Sequence, residues 1–217
     1  MTTLVFVADD HAIVREGLRR ILAADASIAV VGEASNGNEV LAAVRAGGFE
    51  VLLLDLSMPG KSGVELIKQV KAERPDLRIL VLSMHDEHQY AERAIRAGAS
   101  GYLTKDTAAK QLVAAIARIA AGGMFITPAA AEALAARLQS PTDDLPHRRL
   151  SDREYQVLLS LAAGESITAI AERLHLSVKT VSTHKTHVLE KMSLASLADL
   201  VRYAITHKLL ESPDLSE

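Results

Sequence analysis

The chain has 217 residues, 49% hydrophobic and 24% charged, with a formal net charge of −3, no tryptophan and no cysteine. Those values suit a soluble globular protein of one large or two ordinary domains and exclude disulfide and thiol chemistry. They argue against zinc sites and base-stacking surfaces, and confine any nucleic-acid-binding character to a local patch.

In chain order, Leu4–Ala8 reads as a strand, followed by Asp9-Asp10 and a helix from about Ala12 to Ala24. Ile28–Ala34 is a second strand, ended by the Asn36-Gly37 turn, and a short helix covers Glu39–Arg45. Val51–Asp55 is a continuous apolar run closed by a carboxylate, the pattern of a strand buried on both faces. Helices follow at Gly63–Arg74 and His88–Ala97, flanking a fourth strand at Arg78–Ser83. A fifth strand over Gly101–Lys105 leads into a helix from Ala108 to Ala121. Five such units predict a parallel (βα)5 sheet covered by helices on both faces.

Right-handed crossovers bring the carboxyl ends of parallel strands to one edge, where ligands bind. At those ends stand Asp9-Asp10, Asp55, Ser83 and Lys105. Converging carboxylates repel unless a cation joins them, and magnesium suits carboxylate, water and phosphate oxygens. Asp55 can then accept a phosphoryl group as an acyl phosphate, with Lys105 and the Ser83 hydroxyl holding its oxygens. Taken singly the residues say less. Asp9-Asp10 could be helix caps, Lys105 a solvated loop lysine, and Ser83 nothing in particular.

In this order Asp9-Asp10, Asp55 with Met58-Pro59-Gly60 and Gly63, Ser83, Tyr102 and Lys105 resemble the receiver domain of two-component response regulators, over roughly Thr3 to Ala121. The resemblance implies a flavodoxin-like fold and phosphorylation of Asp55 by a histidine kinase. It further implies Mg2+ on Asp10, Asp55 and the Ser57 backbone carbonyl, with Asp9 acting through water. Ser83 matches the family's switch hydroxyl and Tyr102 its switch aromatic. Ser57 and His85 occupy positions that vary in the family and are thought to tune phosphoryl lifetime.

Gly122-Gly123 ends the fifth helix. Ala129–Leu138 has the composition of a helix, and residues 139–149 that of a tether. The expected division is residues 1–122, a linker over 123–148, and a second domain over 149–217, with the boundary near Ser140.

From Leu150 the pattern is helical. Ser151-Asp152-Arg153-Glu154 is a capping box, and Val157, Leu158, Leu161 and Ala162 form an apolar face. Ile167–Leu174 is a second helix, and Ser177 caps a third from Val178 to about Met192. A fourth runs from Ser196 to His207. The short connection between helices two and three signals a helix-turn-helix. On the third helix Val178, Val181, Val188 and Met192 form an apolar stripe, and Lys179, Ser182, Thr183, Lys185, Thr186 and Lys191 lie largely off it. The bland alternative is a solvated helix, since seven Lys+Arg face nine Asp+Glu from Leu150 onward. His184 and His187 share a face, for packing or phosphate contact rather than metal binding.

The run Leu150-Ser151-x-Arg153-Glu154, Gly164, Ile170-Ala171, Ser177-x-Lys179-Thr180-Val181-x-x-His184, Val188, Lys191-Met192 resembles the LuxR-type helix-turn-helix of NarL/FixJ response regulators. By position, Ser182, Thr183 and Thr186 would face bases, and Lys179, Thr180 and Lys191 the DNA backbone. Lys185 departs from the family's usual apolar residue. Leu197, Leu200, Val201, Ala204 and Ile205 form a stripe on the last helix, which in this family also pairs two DNA-binding domains.

The expectation is a cytoplasmic, non-enzymatic transcriptional regulator. It would be phosphorylated by a sensor kinase, bind double-stranded promoter DNA as a homodimer, and have RNA polymerase as a further partner and no membrane association. The alternatives are a regulator working by protein contacts without phosphate and a haloacid-dehalogenase-like phosphatase. The latter is disfavoured because its nucleophile follows the first strand, with a second aspartate where Ser57 stands.

Overall fold

The computed structural model describes residues 2–58, 63–84, 87–127, 131, 145–174, 176–207 and 209–210. The chain divides into two compact units, Met1–Pro141 and Thr142–Glu217.

Among the described residues of the first unit, five strands alternate with five helices: β1 (Thr3–Ala8), α1 (Ala12–Ala23), β2 (Ile28–Ala34), α2 (Gly37–Ala46), β3 (Val51–Asp55), α3 (Gly63–Glu73), β4 (Arg78–Ser83), α4 (Glu87–Arg96), β5 (Gly101–Thr104) and α5 (Lys105–Ala120). The sheet is parallel throughout, in the order β2-β1-β3-β4-β5. This is the flavodoxin-like order, whose reversal between β1 and β3 opens a crevice at their carboxyl ends. Every residue of β3 is buried, as a central strand covered on both faces requires. On one face Val5, Val7, Val51, Leu53, Leu80, Leu82 and Leu103 pack with Leu18 and Leu22 of α1 and Leu112, Ile116 and Ile119 of α5. Strand alternation turns Tyr102, fully buried, to the face opposite Leu103.

Two boundaries differ from the sequence reading for local reasons. The helix α5 begins at Lys105 rather than Ala108, because the Thr104 hydroxyl caps it by accepting from the Thr107 amide. Lys105 is therefore the first helical residue and is fixed by both elements. The first unit also continues past residue 122. Phe125 bridges to Gly101 as a strand-like partner, its carbonyl accepting from the Tyr102 amide at 2.9 Å and its amide donating to Ser100 at 3.1 Å. A Cβ at Gly101 would lie 2.7 Å from the Phe125 carbonyl oxygen, so this close approach requires glycine. The helix expected over 129–138 falls, apart from Ala131, outside the described residues.

The second unit opens with a 3-10 turn, Pro146–Arg149, followed by α6 (Asp152–Ala162), α7 (Ile167–Arg173), α8 (Val178–Lys191) and α9 (Leu197–Thr206). The turn belongs to this unit. His147 is buried, and its Nδ1 lies 2.8 Å from the Tyr203 hydroxyl of α9. Serine hydroxyls at residues 151, 166, 177 and 196 cap the four helices, and the Ser151–Glu154 capping box forms in full. Val157, Leu158, Ile170, Val181, Val188, Met192, Leu200 and Ala204 make the core. Val178, placed on the core stripe by spacing, sits in the first turn of α8 and is 49% exposed. Ile205, also on its helix's stripe, is 63% exposed. No helix among the described residues is long and apolar enough to cross a membrane.

Candidate functional site

The strand register builds the first site. Ala8 pairs with Leu54 and Asp55 with Leu82, so Asp9 leaves β1 level with Asp55. Ser83 and Thr104 are register partners one residue beyond, and Lys105 follows directly. Asp9, Asp55, Ser83 and Lys105, from four separate stretches of sequence, thus stand along one sheet edge. The Lys105 ammonium lies 2.7 Å from Asp9 Oδ2 and 3.1 Å from Asp55 Oδ2. Asp9 and Asp55 are each 1% exposed, while the Lys105 side chain keeps 12% of its surface. The Ser57 amide donates to Asp55 Oδ1 at 3.1 Å, holding the carboxylate from the other side. Ser83 and Tyr102 are both fully buried.

Burial raises the Asp55 pKa, an effect that the Lys105 ammonium opposes and the neighbouring Asp9 reinforces. For Lys105, burial acts downward, and the attraction of Asp55 and Asp9 outweighs it, so its pKa rises. One ammonium between two buried carboxylates leaves the pocket with an excess of negative charge. Asp10 adds to that excess at the mouth.

His11 is a site residue that the sequence reading passed over. Its Nδ1 stands 2.9 Å from Asp10 Oδ1 and 3.4 Å from Asp9 Oδ1, and its amide donates to Asp9 Oδ1 at 2.8 Å. The signal was its place next to Asp9-Asp10, where it becomes the N-cap residue of α1. Asp9, Asp10, His11 and Asp55 each offer a ligand atom within 4.8 Å of the others. Oxygen-rich donors, two of them on buried carboxylates, fit a hard divalent cation such as Mg2+. Pro59, Gly60 and His85 lie outside the described residues.

The second candidate site is the exposed side of α8. Lys179, Thr183 and Thr186 are exposed, and Thr180, Ser182 and Lys185 are half-buried. These positions are brought onto one helix that Val181, Val188 and Met192 anchor to the core. Two expected contacts have partners within the bundle. Thr180 Oγ1 lies 2.8 Å from the Ser177 hydroxyl, and the Lys191 ammonium donates to both oxygens of Glu154 at 2.8 and 2.7 Å. His187 Nδ1 stands 3.7 Å from Glu154 Oε1. Burial lowers the His184 pKa, with Glu154 opposing and His187 adding to the shift, so this ring favours its neutral form.

Comparison with known proteins matches both units. Residues 5–117 fit the response regulator receiver domain, and residues 148–204 the luxR family of bacterial regulatory proteins. The response regulator UvrY of Escherichia coli K12 is 34% identical over 213 residues, covering 98% of each chain. The response regulator GacA of Pseudomonas aeruginosa is 35% identical over 209 residues, covering 96% of this chain and 98% of that one. The oxygen regulatory protein NreC of Staphylococcus carnosus is 38% identical over 215 residues, covering 95% and 99%. Among solved structures, RcsB of Salmonella typhimurium aligns with a TM-score of 0.58 at 30% identity, covering 94% of this chain and 98% of that one. An RcsB–DNA complex aligns equally well, with coverage of 95% and 99%.

Proposed function

Because the chain belongs to the NarL/FixJ family of response regulators, with a receiver domain and a LuxR-type DNA-binding domain, we propose that phosphorylation of Asp55 controls DNA binding by its second unit. The observation that carries this reading is the partly buried Lys105 ammonium shared by the buried carboxylates of Asp9 and Asp55. It forms a charged pocket open to one more ionic group. An Asp55 carboxylate oxygen bonds to phosphorus while the P–N bond to a kinase phosphohistidine breaks, leaving an acyl phosphate. The Lys105 ammonium then pairs with phosphoryl oxygens, and the Ser83 hydroxyl donates to another. Magnesium bound to Asp10, Asp55 and the Ser57 carbonyl, with Asp9 through water, would supply charge neutralisation of the transferred group. Movement of Ser83 and Tyr102 passes the change to the receiver surface. The phosphoryl group shifts the equilibrium only so far as it binds the active arrangement better.

On this reading the functional domains are the receiver and the helix-turn-helix, joined by a tether. The helix α8 enters the major groove of double-stranded promoter DNA. Ser182, Thr183 and Thr186 face bases, Lys179, Thr180 and the remaining N–H of Lys191 face the backbone, and Lys185 adds a contact of either kind. The protein acts as a homodimer on DNA, in the cytoplasm, as a regulator and not a turnover enzyme. RcsB has been solved as two dimers on two parallel DNAs, which supports the dimeric reading.

The test is incubation with Mg2+ and acetyl phosphate or beryllofluoride, followed by measurement of dimerisation and DNA affinity. The wild type is expected to respond and Asp55→Asn is not. An unchanged wild type, or an Asp55→Asn protein that responds alike, overturns the proposal.

A further inference from the structure

Two threonines on the exposed side of α8 have committed their hydroxyl protons. Thr183 Oγ1 donates to the Lys179 carbonyl at 3.0 Å, and Thr186 Oγ1 to the Ser182 carbonyl at 3.1 Å. A hydroxyl has one proton and two lone pairs. With the proton held inside the helix, each side chain offers its surroundings an acceptor and a methyl group, and no donor. Both residues are exposed. They stand three apart on one helical face, separated by roughly 4.5 Å of axial rise. That is close to the ~3.4 Å spacing of successive base pairs, so two such groups meet neighbouring positions of a duplex.

The bases answer an acceptor differently in the major groove. Adenine N6 and cytosine N4 carry amino donors, and thymine carries a methyl, whereas guanine presents only the N7 and O6 acceptors. We infer that Thr183 and Thr186 form an acceptor-and-methyl pair that selects adenine or cytosine, and rejects guanine, at two neighbouring positions of the contacted strand. This rests on the proposed placement of α8 in the major groove. Lys179, a pure donor exposed one turn earlier, has the opposite polarity and suits guanine or phosphate. The helix therefore carries a polarity pattern along its axis, donor first and acceptors after.

The experiment selects DNA fragments bound by the full-length protein from random sequence, in parallel for the wild type, Thr183→Val, Thr186→Val, Thr183→Ser and Thr186→Lys. Valine keeps the threonine shape and methyl while removing the acceptor, and its helix propensity is similar. The positions whose base preference changes in the valine variants identify the contacts. At those positions the wild type is expected to enrich adenine or cytosine over guanine by on the order of tenfold, as one good base contact allows. The valine variants are expected to bring the bases near parity there and to keep the rest of the site. Thr183→Ser retains the acceptor and should retain the preference, while Thr186→Lys should turn its position toward guanine. Guanine enriched by the wild type at the contacted positions overturns the inference, as does an unchanged preference in both valine variants. Recovery of no enriched sequence by the wild type overturns the DNA-binding reading itself.

Discussion

Lys191, in the last turn of α8, donates to both carboxylate oxygens of Glu154, in the first turn of α6, at 2.8 and 2.7 Å. The same carboxylate accepts from the Ser151 amide at 2.8 Å and closes the capping box. One buried acid therefore starts α6 and fastens the far end of α8, so the helix proposed to enter DNA is held at its trailing end by charge.

That arrangement sets a pH dependence. Burial acts to raise the Glu154 pKa, but the Lys191 and Ser151 hydrogen bonds outweigh it and the pKa is lowered. The stability it contributes is present above the ordinary carboxylate range and lost as pH falls through the folded value. Glu154→Gln is expected to cost about 1.5–3 kcal/mol at pH 7, the range for a hydrogen bond to a charged group. The difference from wild type should shrink near pH 3.5. Urea unfolding at the two pH values checks this, and an equal difference at both would count against the ion pair as the cause.

Asp55 has the opposite sign. Its pKa is raised, mainly by burial, so the stability linked to it is present in acid and lost as pH rises through the folded value. Removing the charge should therefore help. Asp55→Asn is expected to be more stable than wild type at pH 8. The gain should fade below the carboxylate range. Added Mg2+ should raise the melting temperature of wild type in a concentration-dependent way and that of Asp55→Asn much less. Calorimetric melts across pH with and without Mg2+ measure both effects.

The receiver pocket was legible because its residues sit at strand ends, and the order of apolar runs alone places strand ends together. Asp9, Asp10, Asp55, Ser83 and Lys105 needed no side-chain geometry to be found. The Glu154–Lys191 pair spans 37 positions of sequence and joins two helices whose relative rotation no periodicity gives, so Lys191 read as a DNA-backbone contact and its partner within the bundle was not foreseen. His11 was missed for another reason. A histidine opening a helix is an ordinary residue until its ring is seen beside two carboxylates. Phe125 was read as linker because a single bridged residue carries no alternation.

Lys105→Ala tests the charge balance of the pocket. It removes the ammonium from two buried carboxylates, and breaking one side of a buried ionic cluster costs about 3–5 kcal/mol. Mg2+ should restore part of the loss by replacing the missing positive charge. Combining Lys105→Ala with Asp55→Asn should cost less than Lys105→Ala alone, since the repulsion between Asp9 and Asp55 is then gone. Denaturant midpoints for the four proteins of the cycle measure the coupling, and strict additivity would show that the three groups do not act together.

Gly101→Ala probes the link between the buried Tyr102 strand and the chain beyond α5. The added Cβ would meet the Phe125 carbonyl oxygen at 2.7 Å and Leu80 Cδ1 at 2.9 Å. Leu80 is a side chain that can turn, whereas the Phe125 carbonyl is backbone and must move away. Two hydrogen bonds go with it, from the Tyr102 amide to Phe125 and from the Phe125 amide to Ser100. The neighbouring β4–β5 pairing uses the other edge of β5 and is untouched by that movement. Hydrogen exchange is therefore expected to accelerate at the Tyr102 and Phe125 amides while the amides of β1 and β3 keep their protection. If Tyr102 stays as protected as in wild type, the Phe125 bridge does not hold the edge strand. Uniform acceleration across the sheet would instead show general destabilisation through Leu80.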